Sequence, residues 1–206
     1  MESFDEFLKR LASPSPAPGG GAASAAVSVI AASINSMVSG ITMEKKSYAR
    51  FREMMNEIKM RSDLAVNDLR VLMKEDEAAF NMIVAAWKMP KNTSDEIRAR
   101  DVKMNEAIRH AVAVPWRIAQ KSLEILRDSL LISKYGLKSA ITDSMCSAEF
   151  SASAIRGVLQ NVAINIKDAD SEFRESESIK MRLFLEDAED IYRSVKNAVQ
   201  EKMGMN

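Results

Sequence analysis

The sequence predicts an all-α protein, an antiparallel bundle of about six helices, several of them long. Apolar residues recur in steps of three and four over long stretches, the period of a helix with one buried face. Two of these stretches open with a capping box, Ser3 with Glu6 and Thr93 with Glu96. Nowhere does an apolar residue alternate with a polar one over a strand's length. No internal repeat or linker interrupts the pattern, so residues 1–206 read as one helical domain.

In chain order, the first helix is expected from Asp5 to about Ala12, with Phe4, Phe7, Leu8 and Leu11 as its apolar side. A central helix covers roughly 22–41. A long helix from about Glu44 to Lys88 ends at Met89-Pro90. Its stripe runs Phe51, Met55, Ile58, Ser62, Ala65, Leu69, Leu72, Asp76, Phe80, Ile83, Trp87. The fourth helix, about 94–133, contains Pro115, which is expected to kink it, and Tyr135-Gly136 closes it. A fifth runs from about Ser139 to Ile166 with Ile141, Met145, Ala148, Ala152, Ile155, Leu159, Val162 and Ile166 inward. The last spans about 178–203, with Met181, Phe184, Ala188, Ile191, Val195 and Ala198 inward and Gly204 after its end.

The stretch Ser13-Pro14-Ser15-Pro16-Ala17-Pro18-Gly19-Gly20-Gly21 stands apart. Alternating prolines hold it near polyproline II, and the glycines permit positive φ and close approach of another molecule to the backbone. The helix that follows begins with Ala22-Ala23-Ser24-Ala25-Ala26, so its first-turn N–H groups are unobstructed. Loop and helix start together offer a cradle for a carboxylate or polarised carbonyl; the plainer reading is an entry loop to a buried helix. Residues 11–43 carry no charge. The run is Ala/Ser-rich rather than Leu/Ile/Phe-rich, which argues against a membrane span and for a helix buried on nearly all sides.

Lys and Arg number 29, as do Asp and Glu, so no global charge points to nucleic acid. Locally, residues 44–62 carry a net charge of +3 and residues 168–190 one of −6. One Cys, Cys146, fits a reducing compartment, and with a single His it leaves no set of ligands for a structural zinc ion. The start Met1-Glu2-Ser3-Phe4-Asp5 is acidic and lacks the basic opening of a secretory signal, so a cytoplasmic location is expected.

Two carboxylates stand out. Asp76 lies on the apolar stripe of the long helix, where an aspartate needs a partner or a cavity, unless the stripe drifts into a solvated notch there. Asp143 begins a second, smaller and more polar face of the fifth helix, continuing through Ser147, Phe150, Ala154, Gly157, Asn161 and Asn165; a first-turn acid is also favoured by the helix dipole alone. Lys45, Lys46 and Tyr48 open the long helix and could meet an anionic group, or be solvated. His110 shares a face with Lys103, Glu106 and Arg117 and reads as solvent-facing, while Cys146 reads as a small packing residue. The glycine run lacks the Gly-Lys-Ser/Thr ending of a P-loop and follows no strand.

The order Phe4-x-x-Phe7-Leu8, Pro16-Ala17-Pro18-Gly19-Gly20-Gly21-Ala22-Ala23, Lys45-Lys46-x-Tyr48, Asp76-x-x-Ala79-Phe80, Ala86-x-x-x-Pro90, Val114-Pro115, Thr142-Asp143 and Asn161-Val162-x-Ile164-Asn165-Ile166 resembles the cyclodeaminase family. This comprises the cyclodeaminase domain of formiminotransferase-cyclodeaminase and the stand-alone methenyltetrahydrofolate cyclohydrolases. The resemblance covers essentially the whole chain, with no counterpart of the formiminotransferase domain. It implies an all-α fold, a homodimer, a tetrahydrofolate one-carbon substrate and no permanently bound cofactor. The fifth helix departs from the family pattern: Ser139 stands near a usual Asn, Thr142 replaces a Ser, and Met145-Cys146-Ser147 and Glu149 replace small apolar residues.

Both family reactions turn on a carbon that bridges, or is about to bridge, two folate nitrogens. A cyclohydrolase needs a base for water and negative charge near the methenyl cation; a cyclodeaminase needs an acid for departing ammonia. One carboxylate serves either. On the resemblance, Asp143 is assigned proton transfer and Asp76 stabilisation, the two roles being exchangeable. Pro18, Gly19, Gly20 and Gly21 would receive a polar part of the folate, Lys45 and Lys46 its glutamate tail, and Tyr48 would orient it. Asp143 and Asn161 lie about 27 Å apart on one helix, so the Asn pair is structural or serves a partner subunit's site; the structural role is preferred. Hydrolysis of methenyltetrahydrofolate ranks first because no formiminotransferase is fused, with cyclodeamination second. A non-catalytic helical dimer explains the stripes but not Asp76 beside a triple-glycine loop.

Overall fold

A computed structural model of the chain describes residues 2–167 and 169–204. The helices are α1 (Phe4–Leu11), α2 (Gly20–Met43), α3 (Arg52–Trp87), α4 (Ser94–Tyr135), α5 (Ile141–Asn165) and α6 (Ser171–Met203). Among the described residues there is no strand, as the periodicity predicts. Both capping boxes form: the hydroxyls of Ser3 and Thr93 accept from the N–H groups of Glu6 and Glu96, at 3.2 Å each.

α2 lies at the centre, packed against α3 on one side and α5 on the other with α4 behind, and α6 covers α4 and α5. Its residues allow this. Ala22, Ala25, Ala31, Ala32 and Ser28 are all but inaccessible, and such small side chains let three neighbours approach closely. Each buried hydroxyl or amide then needs a partner. Ser28 and Ser122 bond at 2.6 Å, the Asn35 amide donates to the Ile125 carbonyl at 2.9 Å, and Ser147 donates to the Ala31 carbonyl at 2.9 Å. Ser129 donates within reach of both Asn35 and Ser147, so α2, α4 and α5 share one polar seam. α2 is long and apolar enough to cross a membrane, and one side of it packs within the bundle; the expected burial on nearly all sides is not met, since Ile30, Ser33 and Met37 are exposed.

Four further expectations change. The long helix does not begin at Glu44: Lys45 is extended and a 3₁₀ segment, Lys46–Phe51, precedes α3. α2 and α3 pack as antiparallel neighbours, and a helix continuing from Glu44 would leave the chain no room to reverse. α6 begins at Ser171 rather than near 178, because the Asp170 carboxylate caps it by accepting from the Phe173 N–H at 2.9 Å. On α1 only Phe7 enters the core, against Ala22 and Ala26, while Phe4 and Leu8 are exposed. Cys146 is exposed rather than packed. α4 runs on through Pro115, which is buried.

The charge asymmetry is compensated between helices. The acids of α6 meet bases of α4 and α5, as in Arg127–Asp187 at 2.8 Å and Arg156–Glu189 at 3.5 Å. The Arg61 guanidinium takes both oxygens of Asp128, at 2.7 and 3.3 Å; Asp128 is only 6 % exposed, and burial still holds its carboxyl above the usual range. At the α4–α5 junction the Lys202 ammonium donates to the carbonyls of Ser133, Lys134 and Gly136 at 2.8–3.2 Å, supplying donors to a helix C-terminus.

Candidate active site

The start of α2 is wedged between Asp76 of α3 and Asn161 of α5. A Cβ on Gly21 would lie 2.3 Å from the Asp76 carboxylate, and one on Gly20 would lie 3.7 Å from the Asn161 amide. Glycine is required at Gly21 for space and not for conformation. None of Gly19, Gly20 and Gly21 has a positive φ; among the described residues Gly204 alone does. The expectation that this loop exploits left-handed backbone is therefore corrected. Phe7 packing on Ala22 and Ala26, and Arg10 paired with Glu77 and with Glu2, hold α1 and the proline segment over the same corner.

In front of this wedge opens a cavity of about 900 Å³. The stripe of α3 leaves the core here. Met55 through Leu72 are buried, whereas Asp76 and Phe80 are only partly buried and Trp87 is exposed, all facing the cavity; Ile83 lines it too but stays packed in the core. The opposite wall is α4, through Arg100, Met104, Asn105 and Ile108, and α5 contributes Asn161, Ile164 and Asn165. The polar atoms thus cluster at the α2 end and along α4, and the apolar ones between. Burial, the largest influence, pushes the Asp76 carboxyl above the ordinary carboxylate range; the Ala22 N–H opposes this and the neighbouring Glu77 charge adds to it. A carboxyl so placed can hold or release a proton beside a bound molecule. Among the described residues no three His, Cys, Asp or Glu side chains gather as a metal site would need.

The structure joins some of the residues singled out in the sequence and separates others. Gly19, Gly20, Gly21 and Asp76 meet in the cavity wall. Pro18 is buried beneath the loop and does not line it. Asp143 is half-buried at the far end of α5, and α5 rises about 27 Å between it and Asn161, so a single chain does not bring Asp143 and Asp76 to one reacting atom. Lys45, Lys46 and Tyr48 lie beyond the C-terminal end of α2, about 36 Å from its glycines. Lys45 and Lys46 are exposed there, and the Tyr48 hydroxyl accepts from the Lys138 N–H at 3.1 Å. Of the asparagines, Asn165 donates to the Ala111 carbonyl at 2.7 Å, a structural bond, whereas Asn161 stands against the glycine turn. Sequence reasoning missed the α4 wall, above all Arg100 and Asn105. On the same helix the sequence singles out only the face of His110, Lys103, Glu106 and Arg117, which reads as solvent-facing.

The chain's similarity to known proteins is extensive. The formiminotransferase-cyclodeaminase profile matches residues 3–183. The chain is 30 % identical over 203 residues to a methenyltetrahydrofolate cyclohydrolase of Methylorubrum extorquens, covering 96 % of this chain and 98 % of that protein. It is 29 % identical over 187 residues to the formimidoyltransferase-cyclodeaminase of Rattus norvegicus, of whose length it spans 35 %. The fold is that of the crystal structure of formiminotetrahydrofolate cyclodeaminase from Thermotoga maritima, with a TM-score of 0.82, 24 % identity, and 98 % and 95 % of the two chains covered.

The wedge generates two expectations. Gly21→Ala forces the Asp76 carboxylate aside, whereas Gly20→Ala meets ordinary van der Waals contact. Thermal melts should therefore show a clear loss in Tm for the first and little change for the second; equal melting would mean that Asp76 is free to move. Because the folded Asp76 carboxyl has a raised pKa, its contribution to stability is complete below the ordinary carboxylate range and is lost as pH rises through the folded value. Asp76→Asn should thus melt above the wild type at neutral pH, and the gap should close as pH falls through that range. A pH-independent gap would remove the ionised, desolvated carboxylate as its cause.

Proposed function

Since the chain belongs to the formiminotransferase-cyclodeaminase family, we propose that it is a folate-dependent one-carbon enzyme that hydrolyses methenyltetrahydrofolate to formyltetrahydrofolate. The observation that carries this reading is Asp76: a desolvated carboxyl at the mouth of a ligand-sized cavity, pressed against the open start of a helix. The relative named as a cyclohydrolase matches this chain over nearly the full length of both, whereas the rat deaminase is a much longer protein, which ranks hydrolysis above cyclodeamination.

The reaction adds water to a cationic carbon. Ionised Asp76 takes one proton from the water as its oxygen bonds to the methenyl carbon, and its charge stabilises the cation before that step. The tetrahedral adduct then collapses. One C–N bond breaks, its electron pair goes to nitrogen, and the hydroxyl proton is transferred to that nitrogen as the formyl C=O forms. One proton is released to solvent overall. The free N–H groups of the first turn of α2 and the Asn161 amide are available to the oxygen of the adduct. Phe80, Ile83 and Trp87 offer an apolar wall for the ligand's rings. The tetrahydrofolate derivative is the substrate, and no resident cofactor enters these steps.

The functional unit in this reading is a homodimer formed through the outer face of α2. That face is charge-free and leaves Ile30 and Met37 40 % and 47 % exposed, flanked by Phe150 on α5. Large apolar side chains on an uncharged helix face suit an interface. A two-fold axis perpendicular to α2 sets the two α2 helices antiparallel, and in that arrangement the Asp143, Lys45, Lys46 and Tyr48 end of one subunit comes beside the glycine end of its partner. Only in this way do those residues join Asp76.

Methenyltetrahydrofolate absorbs in the near ultraviolet, and its decay on adding enzyme reads the reaction directly. Asp76→Asn should lower kcat by about two to four powers of ten, the range for a general acid–base. Unchanged kcat would remove Asp76 from the chemistry, and a rise in absorbance from formiminotetrahydrofolate without hydrolysis would make the deaminase the correct reading. Met37→Glu should convert the dimer to monomers in sedimentation and abolish turnover. A monomeric variant with full activity would show that one chain carries the whole site.

A further inference from the structure

Arg100 is the cation of the cavity wall whose charge the rest of the described protein leaves unanswered. Its Nε lies buried, with no hydrogen-bond acceptor among the described residues. None of their carboxylates forms an ion pair with its guanidinium. Of the other charged groups about the cavity, Glu77 is taken by Arg10, while Asp101 and Lys167 form no ion pair among the described residues but are exposed to solvent; Arg100 alone among these has a buried N–H without an acceptor there. A buried guanidinium N–H without an acceptor is costly to keep, and a planar fork of donors matches a carboxylate better than any other common anion except phosphate.

Position narrows the ligand group further. α3 and α4 are joined by the short segment 88–93 and run antiparallel, so Arg100, early in α4, lies alongside the last turns of α3, on the Trp87 side of Asp76. Asp76 and Trp87 are themselves about 16 Å apart along α3. The cavity therefore presents hydrogen-bonding groups at the α2 end, an apolar wall in the middle, and toward the other end an arginine beside an indole that is 59 % exposed. That order matches a molecule with a polar fused ring, an aromatic spacer and a terminal carboxylate.

Resting on the folate reading above, we propose that Arg100 receives the α-carboxylate of the first glutamate of the folate side chain, in place of Lys45 and Lys46 of the same chain. It is a binding and positioning residue. By anchoring the far end it sets the register of the one-carbon bridge against Asp76. Lys167, exposed at the rim, lies where later glutamates of a longer tail would pass.

The test compares tetrahydrofolate with the primary amide of tetrahydropteroate, which keeps the benzoyl amide but has neither glutamate nor any carboxylate, in equilibrium binding to wild type, Arg100→Gln and Arg100→Lys. Wild type should bind tetrahydrofolate about ten- to a hundredfold more tightly than the amide, as a charge-assisted bidentate contact provides. Arg100→Gln should erase that advantage and leave binding of the amide unchanged, and Arg100→Lys, keeping the charge but not the fork, should restore part of it. Melting and circular dichroism of each variant establish that it is folded, and Arg100→Lys carries the comparison should Arg100→Gln not fold. Equal loss for both ligands, undiminished tetrahydrofolate binding in Arg100→Gln, or a wild type indifferent to the glutamate would each overturn the role of Arg100 while leaving the folate reading intact. A wild type that binds neither compound would overturn both.

Discussion

The close packing of α2 against α3, α4 and α5 is the constraint from which the rest of the molecule follows. Mostly alanine and serine at its contact positions let helix axes approach closely, but the serines also bring hydroxyls into a dry interior. The seam of Ser28, Ser122, Asn35, Ser129 and Ser147 resolves most of that conflict, the buried Ser39 hydroxyl having no partner among the described residues, and it sets the mutual register of three helices. An Ala/Leu helix could have filled the same space without fixing register as tightly.

Register is what the site requires. With α2 held in place, its first turn is inserted between α3 and α5, and the side chains that flank consecutive glycines are Asp76 and Asn161. Gly21 permits the carboxylate to lie where a Cβ would otherwise be. The same closeness removes water from Asp76 and raises its pKa, at a cost to the fold that the serine seam and the apolar core must offset. Stability is thus lower at this one corner.

Charge elsewhere is arranged differently. Asp128 is buried but gripped by Arg61, and Lys202 is drawn into a helix end by three carbonyls, so each has an internal partner and a structural explanation. The acids of α6 meet bases of α4 and α5 in the same way. Against that background Asp76 and Arg100 are partly buried without an ion pair among the described residues, and both line the same cavity. The two are of opposite sign and lie apart along one apolar wall.

Much of this was legible in the sequence. The helical period, the two capping boxes and the charge-free run from Leu11 to Met43 established the all-α bundle and its central helix, because these are local properties of a chain that must bury one face of each helix. Asp76, out of place on an apolar stripe, and the glycine run pointed to the site for the same reason: each breaks a local rule. What the sequence by itself did not determine is which of these residues meet. Asp143 reads as strongly as Asp76, and Lys45, Lys46 and Tyr48 as weaker candidates, yet one chain holds these three beyond the far end of α2 and Asp143 far along α5 from the cavity, because the rise along a helix is unforgiving over that many residues. Arg100 was illegible for the opposite reason. On its own helix it is one charged residue among many, and only the packing of α4 across the end of α3 turns it inward and denies it a partner. Periodicity reports which face of a helix is buried; what that face is buried against is a property of the assembled bundle, and the chemistry of the site resides there.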